Sequence, residues 1–200
     1  MYLIFTSKIR VYHRLSRRPF DTRIVASLDG MGYLIMSLCL REGPMLRMEI
    51  PGRGAYSVEF LVLDMNGTIA TDGRISGRFK DQINLLAKRL KVYILTADTR
   101  GDAQERLGRI AAELVRIDKG EEALQKKEFV STIGAEKTIA VGNGYNDHLM
   151  VKEAALGIAV IGREGAATET IGNADVVVNE IADALDLILK PLRYQATLRK

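Results

Sequence analysis

Four side-chain types suited to phosphoryl transfer stand in this sequence after apolar runs or, for the lysine, on a later helical stretch. They are a carboxylate at Asp64, a hydroxyl at Thr96, an ammonium at Lys126 and a second carboxylate at Asp147. In combination they suit a reaction through an aspartyl-phosphate, with Asp64 as the attacking carboxylate. Thr96 and backbone amides near Gly67 and Thr68 would hydrogen-bond the phosphoryl oxygens, and Lys126 would neutralise their charge. Asp147 would help to hold Mg²⁺, which favours an octahedron of hard oxygen ligands and keeps several waters. Positioning and charge do most of the catalysis in such a reaction.

The stretch around Asp64 has a second reading. "LVLDMNGTIATDG", residues 61–73, places Asn66-Gly67 after an apolar run, the strongest short signal for a β-hairpin. Against this stands a carboxylate held at the mouth of a parallel sheet, where α/β folds bind ligands. The surrounding elements decide between the two.

From Met48 onward the pattern becomes regular. Strands are predicted at 58–64 ("VEFLVLD"), 92–96 ("VYILT"), 113–117 ("ELVRI"), 137–144 ("KTIAVGNG", ending in a glycine loop), 156–162 and 175–178. Helices are predicted between them, at 77–91, 100–112, 120–134, 145–155, 163–174 and 180–189, the last ending before Pro191. The first of these puts Phe79, Ile83, Leu86 and Leu90 at helical spacing. Gly134 is a C-cap candidate for the third. Strand and helix thus alternate with short connections, the pattern of a mainly parallel sheet covered by helices on both faces. Helix, not a paired strand, follows Asn66-Gly67, which weakens the hairpin reading. A small flap at Thr71-Asp72-Gly73 remains compatible with the pattern.

Bulk properties narrow the function classes. Two hundred residues suffice for one domain with a sizeable core. The single cysteine, Cys39, rules out an internal disulfide framework, and two distant histidines, His13 and His148, argue against histidine-centred or zinc chemistry. The net charge of +4 lies wholly in residues 1–44, where seven basic residues face three acidic ones, while 45–200 is balanced. Nucleic-acid binding by the main domain has little electrostatic support. "GYLIMSLCL", about nine residues, is too short to cross a bilayer, which takes roughly 20. We therefore expect a cytoplasmic domain over 45–200, preceded by a basic extension over 1–44 that is disordered or not native. Met45 and Met48 are alternative starts.

The segments "DMNGT", "ILTADT", Lys126 and "VGNGYNDHLM" resemble, in order, the four motifs of the haloacid dehalogenase (HAD) superfamily. The last three are most similar to the phosphorylation domain of P-type ATPases, and the resemblance covers about residues 48–190. It implies a three-layer α/β/α Rossmann-like core and Asp64 as the phosphorylated residue. It also implies Mg²⁺ held by Asp64, the Asn66 carbonyl, Asn143 and Asp147, and phosphate bound by Gly67, Thr68, Thr96, Ala97 and Lys126. Lys127 is an alternative to Lys126, and Asp98 in "TADTR" stands as a loop acid or at the site edge. About 27 residues separate Thr68 from Thr96, and about 29 separate Thr96 from Lys126. Neither interval has room for a cap domain, so the site is expected to be open, or closed by a second copy of the chain.

Two positions depart from the family's phosphatases. Asn66 stands where they carry an aspartate as general acid/base, and an amide can neither protonate a leaving group nor activate water. Such proton transfer is worth ~10²–10⁴-fold. Aryl phosphates, acyl phosphates and ATP-like donors are therefore better substrates than alkyl monoesters. Asn143 replaces a metal-site aspartate and removes one negative charge. The first expectation is a Mg²⁺-dependent phosphohydrolase or phosphotransferase acting through Asp64. The alternative is a catalytically weak HAD-fold binding or regulatory module.

Overall fold

The computed structural model describes residues 22–28, 34–40, 45–69, 75–97, 105, 107, 108 and 110–200. The chain divides into two compact units, Met1–Gly43 and Pro44–Lys200. In the first, β1 (Thr22–Leu28) and β2 (Leu34–Leu40) pair antiparallel, from Thr22 opposite Leu40 to Leu28 opposite Leu34. The apolar run read above as too short for a bilayer is largely β2. No helix among the described residues is long and apolar enough to cross a membrane.

The second unit opens with an antiparallel hairpin, β3 (Leu46–Ile50) and β4 (Gly54–Val58). Sequence reading assigned no hairpin here. Alternation makes it: Leu46, Met48 and Ile50 are buried and the residues between them exposed, the period-two pattern of a one-sided strand. The turn at Pro51-Gly52-Arg53 closes through the Arg53 N–H donating to the Ile50 carbonyl at 2.9 Å.

Next come β5 (Phe60–Asp64), α1 (Gly77–Leu86), β6 (Lys91–Thr96), β7 (Glu113–Arg116), α2 (Glu122–Ile133) and β8 (Thr138–Gly142). A 3₁₀ turn (Tyr145–Asp147) leads into α3 (His148–Glu153), β9 (Leu156–Val160), α4 (Thr168–Asn173), β10 (Val176–Val178), α5 (Ile181–Leu189) and α6 (Pro191–Leu198). Six strands form one sheet in the order β10-β9-β8-β5-β6-β7, and every neighbouring pair is parallel. The strands β5, β8 and β9 are buried at every residue, as expected of strands covered on both faces. Side chains alternate between two apolar layers: Leu61 and Leu63 join one with Phe79, Ile83 and Leu185, while Phe60 and Val62 join the other with Val130 and Met150.

Asn66-Gly67 makes no hairpin, because β5 pairs only in parallel, with β6 and β8. The predicted helix over 100–112 is helical at Glu105 and Leu107 and has ended by Gly108, whose φ is +58°. That over 163–174 contracts to α4 after Gly162 and Gly165, both with positive φ. Pro191, taken as a terminator, instead opens α6; proline is well suited to the first helical position, whose N–H needs no partner in the helix. The flap expected at Thr71-Asp72-Gly73 and the loop acid Asp98 lie outside the described residues.

Strand order also fixes where ligands can enter. From β5 the chain steps outward through β6 to β7, then returns to β8 and runs the other way through β9 to β10. The reversal leaves a crevice at the C-terminal ends of β5 and β8, the topological switch point of an open α/β sheet.

Candidate active site

Asp64 ends β5 and Gly142 ends β8, so both chains turn away from the sheet at the switch point. The Lys126 ammonium, carried in on α2, sits between two carboxylates. It donates to Asp64 Oδ1 and to Asp147 Oδ1, each at 2.7 Å. All three side chains are buried, Lys126 to 1% and Asp147 to 0% exposure. Lys127, the alternative, is half-exposed and faces Glu153 at 3.7 Å, so Lys126 is the lysine of this cluster.

Two carboxylates and one ammonium leave one negative charge uncompensated in a buried place. Burial foremost, then the Asp147 charge, push the Asp64 carboxyl up to about 7, against the pull of Lys126. Burial alone would lower the Lys126 ammonium; its two carboxylate partners more than reverse this and hold it above its ordinary value.

Asp147 is fixed by the glycine loop. Its Oδ2 accepts the backbone N–H groups of Asn143 at 3.0 Å and Gly144 at 2.9 Å, and the Asp147 N–H donates to the Gly144 carbonyl at 3.0 Å. With Lys126 on Oδ1, Asp147 already accepts three bonds of the roughly four that a carboxylate can take. Gly142 makes this possible. A methyl group at its Cα would lie 2.5 Å from both Cβ and Cγ of Asp147.

On the other side of Asp64, the buried Thr68 hydroxyl lies 3.0 Å from Asn143 Oδ1 and 3.5 Å from Asp64 Oδ2. Asn143 Nδ2 donates to the Gly165 carbonyl at 3.2 Å, tying the glycine loop to the loop after β9. Gly67, with φ +76°, turns the chain where a side chain would collide: an added Cβ would stand 2.7 Å from Asn143 Nδ2 and 2.9 Å from Glu164 Oε2. Thr96 closes β6 one position beyond the Asp64–Leu95 register pair; it is buried, and its carbonyl accepts the Ile117 N–H at 2.9 Å. Ala97 follows it, half-buried, and the Asn66 side chain is exposed.

The structure thus draws Asp64, Thr68, Lys126, Asn143 and Asp147 into one bonded cluster, with Gly67 against Asn143. It brings Thr96 to the neighbouring strand end and leaves Asn66 facing solvent. His148 is apart from the cluster: its Nδ1 lies 2.5 Å from the Tyr145 carbonyl and its ring packs on Tyr145. Glu164 is a carboxylate that sequence reading missed. Its position between Gly162 and Gly165, after a strand end, was the available signal.

No protein-family model matches the chain. It is 48% identical over 84 residues to the uncharacterized protein MJ0073 of Methanocaldococcus jannaschii, spanning 40% of this chain and 90% of that protein. It is 28% identical over 126 residues to the copper-transporting ATPase PAA1, chloroplastic, of Arabidopsis thaliana, over 55% of this chain but only 13% of the ATPase. Among solved structures, the cobalt-bound deoxy-D-mannose-octulosonate 8-phosphate phosphatase of Haemophilus influenzae superposes with a TM-score of 0.56 at 17% identity, covering 72% of this chain and 94% of that one. The enzyme of the same activity from Moraxella catarrhalis, solved with magnesium, phosphate and its sugar acid, gives 0.51 at 15% identity, over 71% and 94%. A HAD superfamily (subfamily III A) hydrolase structure from Legionella pneumophila gives 0.53 at 17%, over 70% and 87%. The fold is therefore that of the HAD-like Rossmann core, and the structural neighbours are HAD phosphatases.

Proposed function

The chain belongs to one family with MJ0073, and we propose that it is a divalent-metal-dependent phosphohydrolase or phosphotransferase acting through an aspartyl-phosphate on Asp64. The observation that carries this reading is the buried ammonium of Lys126 bridging Asp64 and Asp147 at the switch point. A buried charge cluster in a crevice, with one strongly shifted carboxyl, is the signature of a working site more often than of a structural one.

In this reading the ionised Asp64 attacks phosphorus. A bond forms from its carboxylate oxygen as the ester or anhydride oxygen departs with its electron pair. The Thr68 and Thr96 hydroxyls and the backbone at Gly67 and Ala97 receive the phosphoryl oxygens, and Lys126 offsets their charge. Water then attacks phosphorus, the bond from phosphorus to the Asp64 oxygen breaks with its electron pair returning to the carboxylate, and the water's proton leaves with the released phosphate. Asn66 cannot protonate the departing oxygen, so donors whose leaving groups are stable anions are favoured: aryl phosphates, acyl phosphates and ATP-like molecules.

The residues present suit Mg²⁺. Asp64, the Asn143 amide oxygen and the Asn66 carbonyl are hard oxygen donors, and the excess negative charge of the cluster calls for a cation. When bound, the ion supplies charge stabilisation at the phosphoryl oxygens. Asp147, with most of its acceptor capacity taken, orients Lys126 and the glycine loop in addition to any direct share in the ion.

We further propose that residues 45–200 form the catalytic unit, with 1–44 as an appended segment. The likeness to a copper ATPase supports a long-lived phospho-enzyme of the kind a stand-alone P-type phosphorylation domain would form. A second reading, a HAD-fold module of very low turnover, draws support from Asn66 and Asn143 together. The decisive assay is aryl-phosphate hydrolysis with Mg²⁺ by the wild type and Asp64→Asn. We expect the variant to lose at least about a thousandfold in rate. Equal rates in both proteins would refute the enzyme reading.

A further inference from the structure

Beside the cluster lies a cleft of about 1110 Å³ whose near wall is Gly67 and Thr68, the loop that would hold the phosphoryl group. Ile75 and Ile181, both only partly buried, give its lining an apolar stretch backed by the core, and Arg78 and Arg163 add two guanidinium groups. The cleft is far larger than a phosphate ion needs, so the remainder of a substrate would occupy it.

The two arginines are not required to hold the fold together. Arg78 lies on the first turn of α1 with its side chain 63% exposed, and its nearest carboxylate, Asp186, is 3.9 Å away. Asp186 already accepts from Gln82 Nε2 at 2.7 Å and Lys190 Nζ at 2.8 Å, with Arg193 at 3.7 Å. Arg163, exposed on the loop after β9, forms no ion pair with the described residues. One carboxylate, Glu180, also lines the cleft, and Glu164 stands near Gly67, so the anionic end of a ligand is directed to the guanidinium groups and away from these acids.

Resting on the phosphotransfer reading, we propose that the cleft selects phosphorylated small molecules that carry a second anionic group, bound by Arg78 and Arg163, on an apolar body seated against Ile75 and Ile181. Guanidinium groups suit this task because their fork of donors matches a carboxylate or a second phosphate.

The test compares para-(carboxymethyl)phenyl phosphate with its neutral para-(carbamoylmethyl) counterpart, whose phenolate leaving groups are matched by the intervening methylene. We expect wild-type kcat/KM to favour the anionic compound by about tenfold, the worth of one charge-assisted hydrogen bond. In the Arg78→Gln, Arg163→Gln double variant that ratio should fall toward one. Binding of both compounds to Asp64→Asn, by calorimetry, reads the same preference without turnover. Equal wild-type affinity and kcat/KM for the pair would overturn the proposal, as would a ratio that survives the double variant. Preferential binding without any hydrolysis would support the cleft assignment while refuting the phosphotransfer reading.

Discussion

The two ends of the parallel sheet treat polar groups in opposite ways. At the N-terminal end of β9 and β10, Arg53 of the hairpin turn pairs with Asp175 at 2.6 Å while both remain about a quarter exposed. Asp175 also accepts the Gly157 N–H at 2.9 Å, and Lys200 donates its N–H to the Pro51 carbonyl at 3.1 Å. Charge there is neutral in sum and in contact with water. At the C-terminal end, three ionisable groups are fully enclosed, carry a net negative charge, and hold Asp64 far from its ordinary ionisation. The first arrangement closes the fold. The second works against it, since buried charge is costly unless compensated, and the proposed phosphoryl transfer would account for its presence at the switch point.

That contrast can be broken by unequal substitutions. Lys126→Met should leave two enclosed carboxylates facing each other and destabilise the protein by about 3–5 kcal/mol, read as a fall in Tm at pH 8. A loss no larger than that of the Arg53 variant described below would show that the two ends are alike. Next in size, Asn66→Asp restores a proton donor at the exposed edge of the site and should raise hydrolysis of alkyl phosphates by roughly a hundredfold. The gain should be much smaller for aryl phosphates, and equal gains would remove the leaving-group argument.

A pH series sharpens the comparison further. Asp64 must lose its proton before it can ligate Mg²⁺, and its carboxyl sits at about 7. Magnesium affinity, followed by calorimetry, should therefore rise about tenfold per pH unit below that value and level off above it. Because the folded state binds this proton more tightly than the unfolded one, metal-free stability should decline as pH climbs from about 4 to about 7. Asp64→Asn, neutral throughout, should flatten that decline. The smallest effect is expected at the other end, where Arg53→Met should cost no more than about 1 kcal/mol, as is usual for solvent-accessible pairs.

Much of this arrangement was legible in the sequence, because uninterrupted apolar runs such as "FLVLD" and "LGIAV", too short for helices and bounded by turn residues, fit buried strands, and short connections between strands and helices leave a parallel sheet as the consistent solution. Lys126 was harder to separate from Lys127, since α2 has a weak amphipathic pattern and only the third dimension shows which lysine turns inward. The β3–β4 hairpin escaped notice because its turn, Pro51-Gly52, carries none of the asparagine or aspartate signals. Glu164 and the arginines of the cleft were hard to place for another reason. Their proximity to Gly67 and Thr68 arises from the loop after β9, far from Gly67 in the chain, and the first turn of α1.

The strand order has one more consequence. Asp64 belongs to the part of the chain that builds β5, β6 and β7, whereas Lys126, Asn143 and Asp147 arrive only with the stretch that follows. A polypeptide halted before residue 120 would hold Asp64 with none of its charged companions. The cluster of Asp64, Lys126 and Asp147 thus assembles only once the later half pairs along the β5–β8 seam, and under the proposed function a shorter fragment would have no activity.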